Sequence, residues 1–149
     1  MATYTASNFY TPAPTAPMVG VVLSREFLFT VSPALALNDI IKLAPIPAGC
    51  VIDDWFIDVP DCDTGGSPAI TMSVGDSGSA TRFSAALTTG QAGGRINNQT
   101  SGTAATCPFE YTAADDFRLT IAAGPQTGAT SVVFRGRILY HMVGMASPV

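Results

Sequence analysis

The stretch DIIKLAPIPAGCVIDDWFIDVPDCDTGGSPAITMSVGD, residues 39–76, decides the fold. Its middle part, residues 50–59, alternates apolar and polar side chains, which is the period of a strand with one buried face. The predicted inward residues are Val51, Trp55, Ile57 and Val59, and the predicted outward residues are Asp54 and Asp58. Asp53 breaks this pattern. The alternation predicts a half-buried β-strand.

The segments on either side of this strand also have strand character. Residues 39–43 form a short apolar run, and we expect Pro45 and Pro47 to end it, because proline lacks an N–H and fits a turn or a sheet edge. Residues 70–75 alternate again, after an acidic turn rich in Gly and Pro. The whole stretch therefore predicts three short strands rather than a helix.

These segments resemble the small β-sandwich decoration, or cement, proteins of tailed-bacteriophage heads. The matching positions are residues 39–43, 46–49, 51–53, 61–63, 71–76, 111–123 and 136–140. Trp55, the three cysteines and the first seventeen residues lie outside the pattern. The resemblance implies a structural protein of the virion that binds the major capsid protein. It carries no catalytic residues.

Length and composition limit the possible classes of protein. A chain of 149 residues is long enough for one domain with its own core. Only 12% of its residues are charged, against about a quarter in ordinary globular domains. A surface so poor in charge is tolerated best when it is covered, so we predict a homo-oligomer or a larger assembly. The resemblance favours a trimer, and a dimer is the other possibility.

Charge and cysteine content argue against several partners. The net charge is −4 and Lys42 is the single lysine, whereas nucleic-acid binding depends on clustered Lys and Arg. No apolar stretch approaches the ~20 residues of a membrane span, and residues 1–23 make a poor secretory signal. Three cysteines without metal-site spacing predict reduced thiols. We expect synthesis in the bacterial cytoplasm and a final location on the capsid surface.

The first seventeen residues, MATYTASNFYTPAPTAP, contain no charged side chain. Their three prolines exclude a regular helix, so an extended N-terminal arm is predicted for residues 1–17, followed by one sandwich domain at 18–149. The arm is either a frayed terminus or a segment that lies along a neighbouring subunit. The predicted interface residues are Tyr4, Phe9, Tyr10, Pro12 and Pro14 in the arm, and Arg95 and Ile96 in a loop.

The rest of the chain continues the β pattern. Residues 18–31 predict one bent strand or two, and residues 117–123 and 131–143 alternate as strands. Residues 88–106 are rich in Gly, Ser, Thr and Asn and predict a long surface loop, either disordered or a contact loop. Seven to nine short strands without an amphipathic helix predict an antiparallel β-sandwich, jelly-roll-like, with an N-terminal arm.

The sequence offers few residues for catalytic or metal-binding chemistry. His141 is the single histidine, lies on a predicted strand and has no partner nearby in sequence. The aspartates of residues 53–63 are dense enough to suggest a cation site, but the spacing fails the calcium-loop pattern. We therefore predict no catalytic residue, no cofactor and no metal.

Three functions of different classes remain. The first is a capsid decoration protein that reinforces a phage head. The second is a carbohydrate- or receptor-binding sandwich on a head or tail fibre, which would stack a sugar on an exposed aromatic such as Trp55 or Tyr140. The third, an enzyme, is the least supported, because the sequence shows no constellation of acid, base and nucleophile.

Overall fold

A computed structural model describes residues 1–11, 21–99 and 107–143 of the chain. These residues form ten β-strands and one 3-10 turn and contain no α-helix. The strands are β1 (Thr3–Thr5), β2 (Val22–Thr30), β3 (Ile40–Ile46), β4 (Cys50–Val59), β5 (Thr71–Gly75), β6 (Ser84–Leu87), β7 (Gly94–Asn97), β8 (Phe109–Tyr111), β9 (Asp115–Ala123) and β10 (Val133–Met142). The described part also has no helix that could cross a bilayer. The all-β prediction is confirmed.

The strands form two sheets that pack face to face. Sheet A has the order β1-β3-β9-β5-β6, and sheet B has the order β2-β10-β4-β7. The short strand β8 pairs with the other end of β4, beside Cys50 to Ile52. All pairs are antiparallel except β1 with β3. Most connections lead from one sheet to the other, so neighbouring segments of sequence lie on opposite layers of the sandwich.

A β-bulge in β4 explains why Asp53 breaks the alternation. Leu139 of β10 lies opposite Asp54, but the next residue of β10, Tyr140, lies opposite Ile52. Asp53 is thus the extra residue that a bulge inserts into one strand. The residues of β4 that face the core are therefore even-numbered before Asp53 and odd-numbered after it.

The bulge also corrects one predicted core residue. Trp55, Ile57 and Val59 are buried as predicted, but Val51 is only half-buried and Ile52 faces the core in its place. The extra residue shifts every side chain before it to the other face. Both halves of β4 therefore supply apolar side chains to the core.

Aromatic rings from both sheets meet in the centre of the sandwich. Trp55 of sheet B lies 5.8 Å from Phe117 of sheet A, measured between ring centroids. Phe83, which precedes β6, lies 5.5 Å from Phe117 and 6.2 Å from Trp55. These separations fall in the range where tilted aromatic pairs attract each other. The cluster fixes the spacing of the two layers.

The prediction that Pro45 ends its strand is wrong. The strand β3 continues through Pro45 to Ile46, opposite Asp115 and Asp116 of β9. On its other side, within the described part of the chain, β3 has a neighbour only at residues 40–42, where β1 pairs with it. Pro45 therefore lies on a locally open edge, where a strand tolerates a residue without an N–H.

The prediction of a structureless loop over residues 88–106 is wrong for its first half. A 3-10 turn forms at Thr89–Gln91, and the strand β7 pairs with the end of β4. Ile96 lies opposite Ile57 and is 2% exposed. Ile96 is the one large aliphatic residue among small polar ones, so the sequence shows no strand alternation here. The segment becomes a strand because it pairs with the edge of β4. Residues 100–106 lie outside the described part.

The first eleven residues pack on the sandwich of their own chain. The strand β1 is parallel to β3, and Ala6 is part of the core. The carboxylate of Asp39 accepts hydrogen bonds from the N–H groups of Ala2 (2.6 Å) and Ala36 (3.0 Å). This part of the predicted arm is therefore a component of sheet A.

Residues 7–11 then pass from sheet A to the edge of sheet B. The N–H of Ser7 donates to the carbonyl oxygen of Leu28 (3.0 Å), and Nδ2 of Asn8 donates to that of Glu26 (2.7 Å). The buried guanidinium of Arg25 donates to the carbonyl oxygens of Asn8 and Thr11. These contacts cover part of the free edge of β2. The predicted boundary at residue 17 lies outside the described residues.

We predict that Trp55→Ala lowers the free energy of unfolding by about 3–5 kcal/mol, the usual cost of removing a fully buried large aromatic side chain. Trp55 is 1% exposed and contacts the rings of Phe83 and Phe117. Urea denaturation followed by circular dichroism measures the change. Tyr10→Ala is the matched control, since Tyr10 is 85% exposed and its loss should cost under about 0.5 kcal/mol. Equal effects of the two substitutions would contradict the assignment.

We also predict that deletion of residues 1–17 lowers the melting temperature. The deletion removes β1 from sheet A and takes from Arg25 the two carbonyl groups that it binds. Differential scanning calorimetry measures the shift. Tyr4→Ala, which removes the ring beside Phe29 but keeps the backbone pairing of β1, should have a smaller effect. A melting temperature unchanged by the deletion would mean that these residues contribute nothing to the sandwich.

Candidate functional site

The outer face of sheet B carries the most varied chemistry of the described surface. Alternate residues of β2, β10 and β4 point away from the core, and β7 and β8 extend the face beyond β4. Because β7 and β8 pair with opposite ends of β4, they mark two ends of the face. We name these the basic end, beside β7, and the acidic end, beside β8.

The basic end is built around the half-buried ring of Phe56. Arg95 of β7 lies over this ring, 4.4 Å from its centroid, and Arg137 of β10 lies 5.3 Å from it. Arg95 also forms a two-pronged ion pair with Asp58, with N–O distances of 2.6 and 2.9 Å. Guanidinium groups on an aromatic face keep their charge available to a partner while their planes are held in place.

Arg135 and Arg137 occupy successive outward positions of β10. Neither guanidinium donates a hydrogen bond to a described residue, and both are exposed. Beside them a groove of about 310 Å³ opens between Asn8, Leu28 and Phe56, with Gly136 in its lining. Glu26 and Asp58 complete the charged rim of this end. From the sequence alone these two arginines are an isolated pair, and only the pairing of β7 with β4 adds Arg95.

The acidic end lies about four residues further along β4, roughly 13 Å away at the usual rise of a strand. Its carboxylates are Asp53, Asp54 and Glu110. The imidazole of His141 lies beside Asp53, with 2.8 Å between Nδ1 and Oδ2. The bulge in β4 makes this contact possible, because it turns Asp53 outward on the same face as His141. Sequence reasoning found no partner for His141, since Asp53 is 88 residues away.

The predicted interface residues fall into three groups. Tyr4 and Phe9 are half-buried and pack on the core of their own chain, and Ile96 is buried within it. Tyr10 and Arg95 are exposed, and Tyr10 lies edge-on to Phe9 with 5.5 Å between ring centroids. Pro12 and Pro14 lie outside the described residues. Of the described members of this set, only Arg95 belongs to the outer face of sheet B.

The aspartates suggested as a cation site serve separate structural roles. Asp63 is buried and accepts hydrogen bonds from five backbone N–H groups, those of Gly65, Ala69, Ile70, Gln126 and Thr127. Burial alone would raise the pKa of this carboxyl group, but the N–H groups stabilise the charged form and lower the pKa below its ordinary value. Asp63 thereby joins the loop before β5 to the loop after β9. Among the described residues, no group of three His, Cys, Asp or Glu could hold a metal ion.

Asp76 joins the two sheets. Its carboxylate accepts hydrogen bonds from the hydroxyl of Tyr111 in β8 (2.6 Å), from the N–H of Ser79 (2.8 Å) and from the guanidinium of Arg82. Arg82 also lies 4.2 Å above the ring of Phe109. Desolvation opposes the charge of Asp76, but these donors outweigh it and lower its pKa. The group is a closed polar contact rather than an open binding site.

The cysteines do not supply a reactive thiol. All three are free. Burial raises the pKa of Cys50 to about 11 and that of Cys62 and Cys107 to about 12, so each thiol stays protonated at neutral pH. Free, protonated thiols agree with the reduced state predicted from the sequence. The aromatics that would stack on a sugar, Trp55 and Tyr140, are both buried in the core.

Comparisons with solved structures match this chain to chains of phage capsids. No protein-family model and no curated protein match the chain. A chain in the solved capsid of Ralstonia phage GP4 is 29% identical, with a TM-score of 0.79, and the match covers 97% of this chain and 99% of that one. A chain in the capsid asymmetric unit of cyanophage Pam1 is 24% identical, with a TM-score of 0.68 over 88% of this chain and 91% of that one. The first match supports a structural protein related to phage capsids, and the second supports the fold.

We predict that Asp63→Asn lowers the melting temperature at pH 7, because an amide replaces one oxygen acceptor by an N–H₂ donor that faces the backbone N–H groups. The lowered pKa of Asp63 has a second consequence. The contribution of the charged Asp63 to the free energy of unfolding is complete above the ordinary carboxyl pKa of about 4. This contribution is lost as the pH falls below that value.

Urea denaturation at pH 7 and at pH 3 tests both statements. The wild type should lose more stability on acidification than Asp63→Asn, which has no carboxyl group to titrate at this position. Glu110→Gln, at an exposed position without a hydrogen bond to a described residue, is the control and should behave like the wild type. A variant as stable as the wild type at pH 7 would show that the five hydrogen bonds do not support the fold.

Proposed function

We propose that this chain is a decoration, or cement, protein that binds the outside of a tailed-phage head and stabilises the shell of major capsid protein. The observation that carries the proposal is the end-to-end similarity to a chain of the Ralstonia phage GP4 capsid. The match covers 97% of this chain and 99% of that one, so the likeness extends over the whole sandwich rather than over one segment of it.

The architecture supports an added component rather than the shell itself. Both sheets close on a continuous core within one chain, and the first eleven residues complete that core instead of extending away from it. A protein folded in this way can form before it meets the head and then attach through its surface. The strand order also supports the jelly-roll class. Each layer has four strands, β2-β10-β4-β7 and β3-β9-β5-β6, and the chain crosses between the layers at every step among them except from β5 to β6.

The expected partners are the major capsid protein and further copies of this chain. The low charge of the sequence favours coverage of its surface in an assembly. Tyr10, exposed at the end of the described N-terminal segment, and Arg95 are retained as contact residues, and Pro12 and Pro14 continue from the same segment. The sugar-binding alternative loses its support, since Trp55 and Tyr140 are buried.

Deletion of the coding sequence from the phage tests the proposal. It distinguishes a decoration protein from a protein that forms the shell. We expect heads that close and package DNA but release it at a lower temperature than wild-type heads, measured by dye access to DNA during heating. Purified protein added back should bind these heads until symmetric positions on the shell are filled. It should also raise the temperature of DNA release to that of wild-type heads. Absence of closed heads would identify a shell-forming protein, and normal heat resistance without the protein would contradict a reinforcing role.

A further inference from the structure

We propose that the groove at the basic end of sheet B receives a carboxylate of the shell protein, which Arg135 and Arg137 bind. This inference rests on the proposed function, because it names the contact surface and the chemistry of the partner for the attachment to a phage head. The groove has a volume of about 310 Å³ and lies on the outer face of sheet B.

Two rows of side chains across the strands border the groove. Each row places an arginine of β10 between a residue of β2 and a residue of β4. The first row is Leu28, Arg135 and Asp58, and the second is Glu26, Arg137 and Phe56. Successive outward residues of a strand are about 7 Å apart, so the two guanidinium groups can contact one ligand from both sides.

The two arginines are the cations of the chain that still lack an acceptor. Neither Arg135 nor Arg137 donates a hydrogen bond to a described residue, whereas the other five basic side chains each bind a carboxylate or a backbone carbonyl group. A partner that covers these guanidinium groups must offer acceptors, because an interface donor left without one costs free energy. A carboxylate matches the planar fork of a guanidinium with two parallel N–H···O bonds.

The rim of the groove favours a polypeptide over a nucleic acid. Glu26 and Asp58 lie beside the two arginines, and these carboxylates repel the successive phosphates of a nucleic-acid strand. The net charge of −4 opposes a polyanion in the same way. A polypeptide supplies a carboxylate for the arginines and N–H groups for the rim. It also supplies apolar area for Phe56 and for Leu28, which is 38% exposed.

The walls of the groove are held in place by contacts within the chain. On the β2 side, Nδ2 of Asn8 donates to the carbonyl oxygen of Glu26 (2.7 Å). On the β4 side, the ring centroid of Phe56 lies 4.4 Å from the guanidinium carbon of Arg95 and 5.3 Å from that of Arg137. A site ordered in this way loses little conformational entropy when the partner binds. The N-terminal segment thereby contributes one wall of the contact surface.

Binding of purified protein to heads that lack it tests the inference. We expect Arg135→Gln and Arg137→Gln each to raise the dissociation constant for these heads about 10-fold or more, the effect of losing one charge-assisted contact. Lys42→Gln is the matched control and should bind like the wild type. It removes the same charge from sheet A, while Asp116 keeps its contact with Arg118. The melting temperature of each variant shows whether the sandwich remains folded.

A zero-length crosslink identifies the group that the arginines bind. Arg135→Lys keeps the positive charge and places an amine in the groove. A carbodiimide joins an amine and a carboxylate in contact through an amide bond, with loss of one water molecule. Mass spectrometry of the treated heads should show position 135 linked to an Asp or Glu of the shell protein. Lys42 should link to Asp116 of its own chain instead.

The outcomes separate this inference from the proposed function. Head binding that survives both glutamine variants, or that Lys42→Gln weakens equally, would overturn the inference and leave attachment to the head intact. A crosslink from position 135 only to Glu26 or Asp58 of the same chain would also overturn it. A wild-type dimer in sedimentation equilibrium that either glutamine variant dissociates would assign the groove to a second copy. Wild-type protein that does not bind the heads would contradict the proposed function and this inference with it.

Discussion

The β-bulge at Asp53 is the constraint on which the rest of the structure depends. β4 is the one strand that pairs with three others, β10, β7 and β8, and it supplies Cys50, Ile52, Trp55, Ile57 and Val59 to the core. Without the extra residue, regular alternation would turn Val51 and Asp53 inward and would bury the carboxylate of Asp53. The extra residue resolves this conflict and lets the whole strand pack against sheet A.

The same residue shapes the surface. By turning outward, Asp53 meets His141 and joins Asp54 and Glu110 at one end of sheet B. The opposite end gathers three of the chain's seven basic residues around Phe56. The outer face of sheet B therefore carries an arginine cluster at one end and a carboxylate cluster at the other.

Buried carboxylates hold the loops where a protein without disulfides needs another kind of link. Asp39 anchors the start of the chain, Asp63 joins the loops at residues 63–70 and 124–128, and Asp76 ties β5 to β8. Each carboxylate is surrounded by N–H or O–H donors, so its charge is compensated inside the fold. These structural roles account for three of the chain's 11 acidic residues.

The sequence by itself determined the fold class, because alternation over five to ten residues with turn residues between is a local property that survives any arrangement of the strands. It also predicted the burial of Trp55, Ile57 and Val59. Tertiary structure decided what depends on distant neighbours: the strand at Gly94–Asn97, the continuation of β3 through Pro45, the inclusion of residues 3–6 in sheet A, and the phase of β4 before Asp53. It also brought Arg95 to Arg137 and His141 to Asp53, since pairing across a sheet joins residues that no spacing along the chain relates.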